Sequence, residues 1–517
     1  MTSLPSLPWL TILGAIPLVG ALVVMVLPRD RGTLIKQVAF GFALVTLILT
    51  IVMGLQFQAD STAPFQFVES YPWVPEFGIS YSVGVDGIGL VLVALAATLV
   101  PVVILAGWND VSTEGRGVKG YFAWILVLET LMIGVFSATD VFLFYVYFEI
   151  MLIPVYFLIG RYGGPNRGRA AVKFLIYSLV GGLLMLAALI GLYVVSGDLL
   201  GEGTFSFVNL VGLDIDPNMQ KLLFLGFFIA FAIKAPLWPF HTWLPDAAKE
   251  ATPATAILLI GVLDKVGTFG MIRYLLPIFP AASEFYAPLV IALAVIGILY
   301  GALVAFGQTD MKRLFAYSSM SHFGFIALGI FVFTSWGATG STVYMVAHGL
   351  STAAIFLAAG FLMSRAKGSS LMSTYSGVNK VAPVLAGFLL FAALSSLALP
   401  GLASFIGEFL VLLGTFARYI AVGVIATLGI VITAAYALKF YQKVATGPPS
   451  PEVEGMRDLN GREITALAPI VLLTLVLGVF PAPVLDVVNP AVERTLEVVG
   501  VTDPPPVIPP IVQGGAQ

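Results

Sequence analysis

Runs of about twenty apolar residues, the length a helix needs to cross the hydrocarbon core of a bilayer, recur along nearly the whole chain. No other feature restricts the fold as much, because in lipid every backbone polar group must be satisfied within the protein. Composition agrees with a chain that lives in lipid: 59% of the 517 residues are hydrophobic and 10% charged, against roughly a quarter charged in a soluble protein. The 25 Lys and Arg nearly balance the 28 Asp and Glu, and no basic run of the kind that binds nucleic acid stands out. With no cysteine, the chain holds no iron–sulfur cluster by thiolates and forms no disulfide. Neither a dinucleotide-binding nor a phosphate-binding glycine motif occurs.

The spacing predicts an all-α polytopic membrane protein of fourteen spans, near residues 7–27, 33–55, 82–108, 119–139, 141–160, 170–195, 220–243, 250–275, 283–306, 313–333, 336–364, 381–414, 418–442 and 464–485. The first is read as a span and not a signal peptide, since no Lys or Arg precedes it and Arg29 and Arg31 follow it. Lys and Arg prefer cytoplasmic loops. With both termini on the outer, periplasmic side, most of them, including Arg29, Arg116, Arg161, Lys312 and Arg365, fall inside. A wrong span count would change the parity and destroy that bias. Residues 56–80 are expected to form an ordered outer loop, and the Pro-rich residues 501–517 an extended tail.

An ionisable residue at the centre of a bilayer costs roughly 2.5–3.5 kcal/mol on insertion scales, so each one asks for a reason. Central here are Glu129, Glu149, Lys234, Asp264, Lys265, His322, His348 and Glu408. At its helical rise, Lys234 stands about 14 Å from the nearer end of its span, too far to snorkel fully to water. One buried ion pair would suffice to lock two helices together, yet these groups spread over at least six. With His322 and His348 at similar depth to Lys and Glu, they form a line able to take up and release protons. Lys173, Lys439 and His241 are secondary candidates, the two lysines being close enough to the inside edge to snorkel. Zinc-type spacings such as H-E-x-x-H are absent and the histidines are scattered, so neither a metal nor a cofactor is expected on this chain.

Two spans are interrupted by proline. The seventh contains Lys234-Ala235-Pro236-Leu237-Trp238-Pro239, and the twelfth Leu399-Pro400-Gly401 shortly before Glu408. Broken backbone at membrane depth is tolerated where it is buried in protein or lines a wet cavity. The breaks stand five spans apart, and an odd offset turns the second copy upside down, the arrangement of many ion-coupled transporters. This divides the chain into residues 1–118 with the first three spans, a repeat over 119–275, an inverted repeat over 283–443, and residues 464–517 with the last span and tail.

Several runs resemble the antiporter-like membrane subunits of proton-pumping NADH:quinone oxidoreductase, respiratory complex I, and in particular chain M, or chain 4. They are FYVYFEIMLIPVYFLIG (144–160), KAPLWPFHTWLPDA (234–247), DKVGTFGMIR (264–273), AYSSMSHFGFIALG (316–329), AHGLSTAAIFLAAG (347–360), PGLASFIGEFL (400–410) and DLNGREI (458–464). The resemblance implies proton translocation through Glu149, Lys234, Lys265 and Glu408, with His322 and His348 between them. It implies FMN, iron–sulfur clusters and quinone on partner subunits, sister chains L and N as neighbours, a peripheral NADH dehydrogenase arm beyond them, and a cell-membrane location. Glu408 matches chain M, whereas L and N resemble each other in carrying lysine there. Ala248-Lys249-Glu250 departs from the family pattern, as does Asp264, where an apolar residue is more usual. The alternative with the same fold and charges is an Mrp-type sodium/proton antiporter subunit.

Overall fold

The structure, a computed structural model, describes residues 7–111 and 117–504. Arg116, and the expected extended tail from residue 505 onward, lie outside the described residues. Twelve helices among the described residues are long and apolar enough to cross a membrane. Two further segments match expected spans but are interrupted: Pro217–Lys234, followed by turns and a short helix Leu244–Glu250, and the pair Pro383–Ser396 and Ala403–Arg418.

The helices sort by burial. Pro253–Ile278 is buried along its whole length, and Met311–Phe331 and Ser335–Arg365 nearly so, while Trp9–Val26, Gly32–Leu55 and Ile420–Ala445 bury about a third of their residues. The exposed faces of the outer helices are strongly apolar, with Leu22, Ile48, Leu428 and Val431 among the residues pointing outward. That is what a lipid-facing surface requires. The three inner helices are covered by protein over nearly all their length and can carry polar groups against protein partners. They hold Asp264, Lys265, His322 and His348, all buried.

The all-α expectation needs one correction. Residues expected as an outer loop form a β-hairpin, with Gln66–Val74 pairing antiparallel to Ile79–Val85. The chain reverses through Pro75–Phe77 and Gly78, whose φ of 64° suits glycine. The hairpin has a packing role: Glu69 accepts the backbone N–H of Leu10 at 2.8 Å and the Thr11 hydroxyl. It thereby caps the Trp9–Val26 helix, whose own cap residue, Pro8, has no side-chain acceptor.

A second correction lies at the C-terminal end. The expected span 464–485 stops at Val479, and Pro481 opens another helix, Ala482–Val499. Its buried stripe Val488, Ala491, Val492 and Leu496 packs on Gly87–Ala106 and Ser335–Arg365. Three- and four-residue spacing makes the stripe legible, but Asp486, Glu493, Arg494 and Glu497 dilute the hydropathy that finds spans.

Basic helix ends gather on one face. Lys119 donates to Met25 O at 3.0 Å, Lys312 to Ala251 O at 3.0 Å and Arg462 to Ala106 O at 3.2 Å, each filling a carbonyl at or just beyond another helix's C-terminal end. The opposite face is tied by the Glu69 cap, by a buried Arg273–Asp86 ion pair, and by Asp503 accepting from Ser335 N at 2.8 Å.

Candidate functional site

The first break begins where the Pro217–Lys234 helix ends on Lys234 itself. Pro236 and Pro239 cannot donate to the preceding turn, so carbonyls are left free at membrane depth. The indole N–H of Trp243 takes up one of them, Ile233 O, at 2.9 Å, and Leu237 N–H takes up Ala232 O at 2.9 Å. Because Trp243 is fully buried, the break is rigid and satisfied from within the protein. Pro253–Ile278 comes close enough that a Cβ on Gly267 would collide with Phe231 O.

Lys234 is buried and its amine has no hydrogen-bond partner among the described residues; it faces the Phe148 ring at 4.6 Å and the Phe174 ring at 6.0 Å. Ring faces offer a partial substitute for hydration of a cation. The carboxylates whose fields reach it are Glu149 and Asp264. One oxygen of Glu149 and both of Asp264 are likewise buried without partners. Glu149 sits against Gly182 of the Arg167–Leu200 helix, so tightly that a Cβ on Gly182 would overlap its carboxylate. Asp264, a departure from the family pattern, lies in the fields of both Lys234 and Lys265 and so joins the two lysines electrostatically.

Lys265 follows a π-helical stretch, Leu259–Leu263, and a second one, Met271–Leu275, follows it. Such widened turns leave carbonyls free of their usual partners and are frequent at functional sites. The Lys265 amine donates to Ile260 O at 2.7 Å and lies 2.7 Å from His348 Nδ1. On the far side of that ring, Nε2 is 3.0 Å from Ser319 Oγ. The His322 and His348 rings lie 5.4 Å apart. His322 Nδ1 is 2.6 Å from the Tyr344 hydroxyl, which donates to Glu408 Oε2 at 3.1 Å. His322 also meets Ser318 Oγ at 3.3 Å, and Ser318 meets the Tyr436 hydroxyl at 2.5 Å.

Glu408 reaches this line because its helix packs at backbone distance. The second break, around Pro400, turns through Ala398 (φ 55°) and Gly401 (φ 95°). The Ala403–Arg418 helix then lays Gly407 on Tyr344 and Gly414 on Gly337, where added Cβ atoms would clash. Small residues facing each other are how membrane helices approach this closely.

The sequence candidates therefore divide. Glu149, Lys234, Asp264, Lys265, His348, His322 and Glu408 form one succession along the protein interior. Among the described residues, Glu129 is buried with both oxygens unpartnered and no charged neighbour acting on it, apart from that succession. Lys173 belongs to the basic face, bonded to Asp246 and to Thr242 O, each at 2.7 Å, with Arg313 on the same carboxylate at 2.8 Å. Lys439 reaches Phe306 O at 3.1 Å from an exposed position. His241 lies in the turns after the first break, beside Tyr300 and Tyr317 with ring centroids 5.3 and 6.3 Å away. Sequence reasoning passed over Tyr344, Ser318, Ser319 and Tyr436. Two carried a usable signal, since Tyr344 precedes His348 and Ser318 precedes His322 by four residues, one helical turn.

Comparison with known proteins accords with this geometry. Residues 138–433 match the family described as NADH:quinone oxidoreductase/Mrp antiporter, transmembrane. The chain is 51% identical to NADH-quinone oxidoreductase subunit M of Mycobacterium tuberculosis, covering 97% of this chain and 96% of that one. It is 37% identical to NADH-ubiquinone oxidoreductase chain 4 of Arabidopsis thaliana, over 93% and 95% of the two chains. A chain of respiratory complex I from Thermus thermophilus superposes with a TM-score of 0.86 at 33% identity, covering 95% of this chain and all of that one. A chain of the Mrp complex from Dietzia sp. DQ12-45-1b shares the fold, at a TM-score of 0.80 and 22% identity over 95% of this chain and 52% of that one. The chain belongs to the NADH:quinone oxidoreductase/Mrp antiporter family, on the branch of complex I subunit M, or chain 4.

Proposed function

We propose that this chain is a proton-translocating subunit of the membrane arm of NADH:quinone oxidoreductase, moving protons from the basic face to the opposite face. The observation that carries the reading is the buried succession from Glu149 and Lys234 through Lys265 and His348 to His322, Tyr344 and Glu408. Groups that can each hold and release a proton, set in succession, are what a relay through a low-dielectric interior needs. Fourteen spans follow if the two interrupted helices are added to the twelve continuous ones. The two breaks support the reading of 119–275 and 283–443 as inverted repeats, with 1–118 and 464–517 flanking them. The basic face is the inner side of the cell membrane, and both termini lie outside.

Glu149 favours the protonated form of Lys234, whose burial opposes it. When Glu149 is drawn away, burial prevails and Lys234 gives up its proton toward Lys265. From Lys265 the proton passes over His348 and His322 to Glu408 and leaves. Each charge moved against the membrane potential costs about 2.3 kcal/mol per 100 mV. This chain has no substrate to supply that, so electron transfer from NADH to quinone on other subunits drives it, with FMN, iron–sulfur clusters and quinone held there. Sister chains L and N are the neighbours expected in the membrane arm.

The test is Glu149→Gln in membranes that contain the whole complex. The variant is expected to assemble and lose most NADH-driven proton uptake. Full quinone-dependent NADH oxidation together with full pumping would remove Glu149 from the mechanism.

A further inference from the structure

Phe356, fully buried on the Ser335–Arg365 helix, is part of the wall of two separate pockets. One opens at the basic face and is lined by Asn109, Asp110, Ser364, Arg462 and Glu463. The other lies deeper, around Ser318, Ser319, His322, His348, Thr352 and Tyr436. We propose that this chain has a second proton entrance from the basic face, leading from the Asp110–Arg462 pocket to His348 and His322, with the Phe356 ring as the gate between. The inference rests on the proton-translocating reading and adds to it an inlet that joins the relay beyond Lys234.

The argument begins with the spacing. His348, Thr352, Phe356, Gly360 and Ser364 succeed one another at four-residue intervals, which places them on one slowly turning stripe of the helix. Ser364 and Gly360 line the pocket at the basic face, Thr352 and His348 the deeper one, and Phe356 both. Every residue of the stripe is polar or lacks a side chain except Phe356. On a helix covered by protein over nearly all its length, that polarity has no role in facing the membrane. His348 Nε2, the nitrogen not used by Lys265, is 3.4 Å from Thr352 Oγ1 and so is turned toward this stripe.

The gate is held by aromatic packing. The Phe315 ring stands edge-on to Phe356 at 5.2 Å and edge-on to Phe440 at 5.3 Å, and all three line the deeper pocket. On its outer side Phe356 is followed, one turn away, by Gly360, on which Pro253 packs. An apolar constriction blocks conduction by excluding water and opens when its rings move aside. A proton entering this way is taken up on an imidazole nitrogen of His348 or His322 and later given up through Glu408; no other bond is made or broken.

The chain has no cysteine, so an introduced thiol reports water access at a chosen depth. In inverted membrane vesicles carrying the whole complex, the basic face is outward. Ser364→Cys and Ser351→Cys are treated with 2-aminoethyl methanethiosulfonate, and modification is read by the mass of this chain. Ser364→Cys is expected to react readily, and Ser351→Cys slowly. Adding Phe356→Ala is expected to speed modification at Ser351→Cys roughly tenfold by removing the constriction, and to raise the passive proton leak measured without NADH. Phe356→Leu, which keeps the site apolar and filled, serves if the alanine variant does not assemble, with the same direction of change. Unaltered labelling at Ser351→Cys in an assembled Phe356 variant would overturn the entrance, as would faster labelling with no change in leak or pumping. Glu149→Gln in the same vesicles separates the two ideas, because it is expected to remove most pumping without touching the labelling.

Discussion

The amine of Lys265 and Nδ1 of His348, 83 residues apart in sequence, lie 2.7 Å from each other in the most deeply buried part of the protein. An ammonium can only donate, so when Lys265 is charged His348 Nδ1 is the acceptor and its proton sits on Nε2, against Ser319. A proton passed from Lys265 to Nδ1 makes His348 an imidazolium, and Nε2 then gives up its own proton to carry the charge onward, which sets an order on the steps. Replacing His348 with Ala removes the acceptor. NADH-driven pumping is expected to fall at least about tenfold, less than the roughly hundredfold that positioned acid–base groups contribute at the low end. The check is dye quenching in inverted vesicles, with the amount of assembled complex measured alongside; pumping at the parental rate would exclude His348 from the path.

Tyr344 bridges His322 and Glu408 through one oxygen. Tyr344→Phe deletes that oxygen while keeping the ring, and keeping the Cβ and backbone on which Gly407 packs. Thermal stability of the detergent-extracted complex is expected to change by only about 1 kcal/mol, the net worth of a hydrogen bond or two, while pumping falls several-fold. A pumping loss matched by an equal loss of assembled complex would show that the hydroxyl is there for packing alone.

Gly182 leaves the space that the Glu149 carboxylate fills. Gly182→Ala is expected to push Glu149 away from Lys234 and lower pumping toward the level of Glu149→Gln, although Ala favours helix by about 1 kcal/mol over Gly. Gly387→Ala, with nothing within 4 Å of the added carbon, is the control and is expected to be silent. Equal pumping in the two variants would show that Glu149 has another stable position.

Arg273 and Asp86 form a buried ion pair in which Asp86 also caps the Gly87–Ala106 helix by accepting Gly89 N–H at 2.9 Å. Removing Arg273 with Arg273→Leu leaves a buried carboxylate with its positive partner gone. Such one-sided changes cost about 3–5 kcal/mol, so the variant is expected to reduce accumulation of the complex strongly. Asp86→Asn with Arg273→Leu is expected to recover part of that loss, and a double variant no better than the single one would show that the pair is not what holds this corner.

Much of the site was legible in the chain because membranes make local sequence informative. Glu149, Lys234, Lys265 and Glu408 stand out as charges in apolar runs, and Pro236, Pro239 and Pro400 mark the breaks without any knowledge of neighbours. Glu129 stands out in the same way, yet it packs alone, because depth in a run says nothing of what lies opposite. Asp264 reads as an oddity beside Lys265 and acquires meaning only where the first break brings Lys234 within its field. The hairpin at Gln66–Val85 was hidden for a different reason: outside the membrane, hydropathy no longer orders the chain, and strand pairing decides.

Hydropathy and charge by themselves determined that this chain spans a membrane, which segments do so, and which residues are too costly to bury without purpose. Those properties belong to each segment and its transfer from water to lipid, and are independent of the other helices. Which helices go to the centre was left to the tertiary structure, because an apolar residue is equally content against lipid or protein. So was the joining of His322 to Glu408 through Tyr344. That link depends on glycines in two distant helices letting backbones approach to within hydrogen-bond reach, a distance that no run of residues encodes alone.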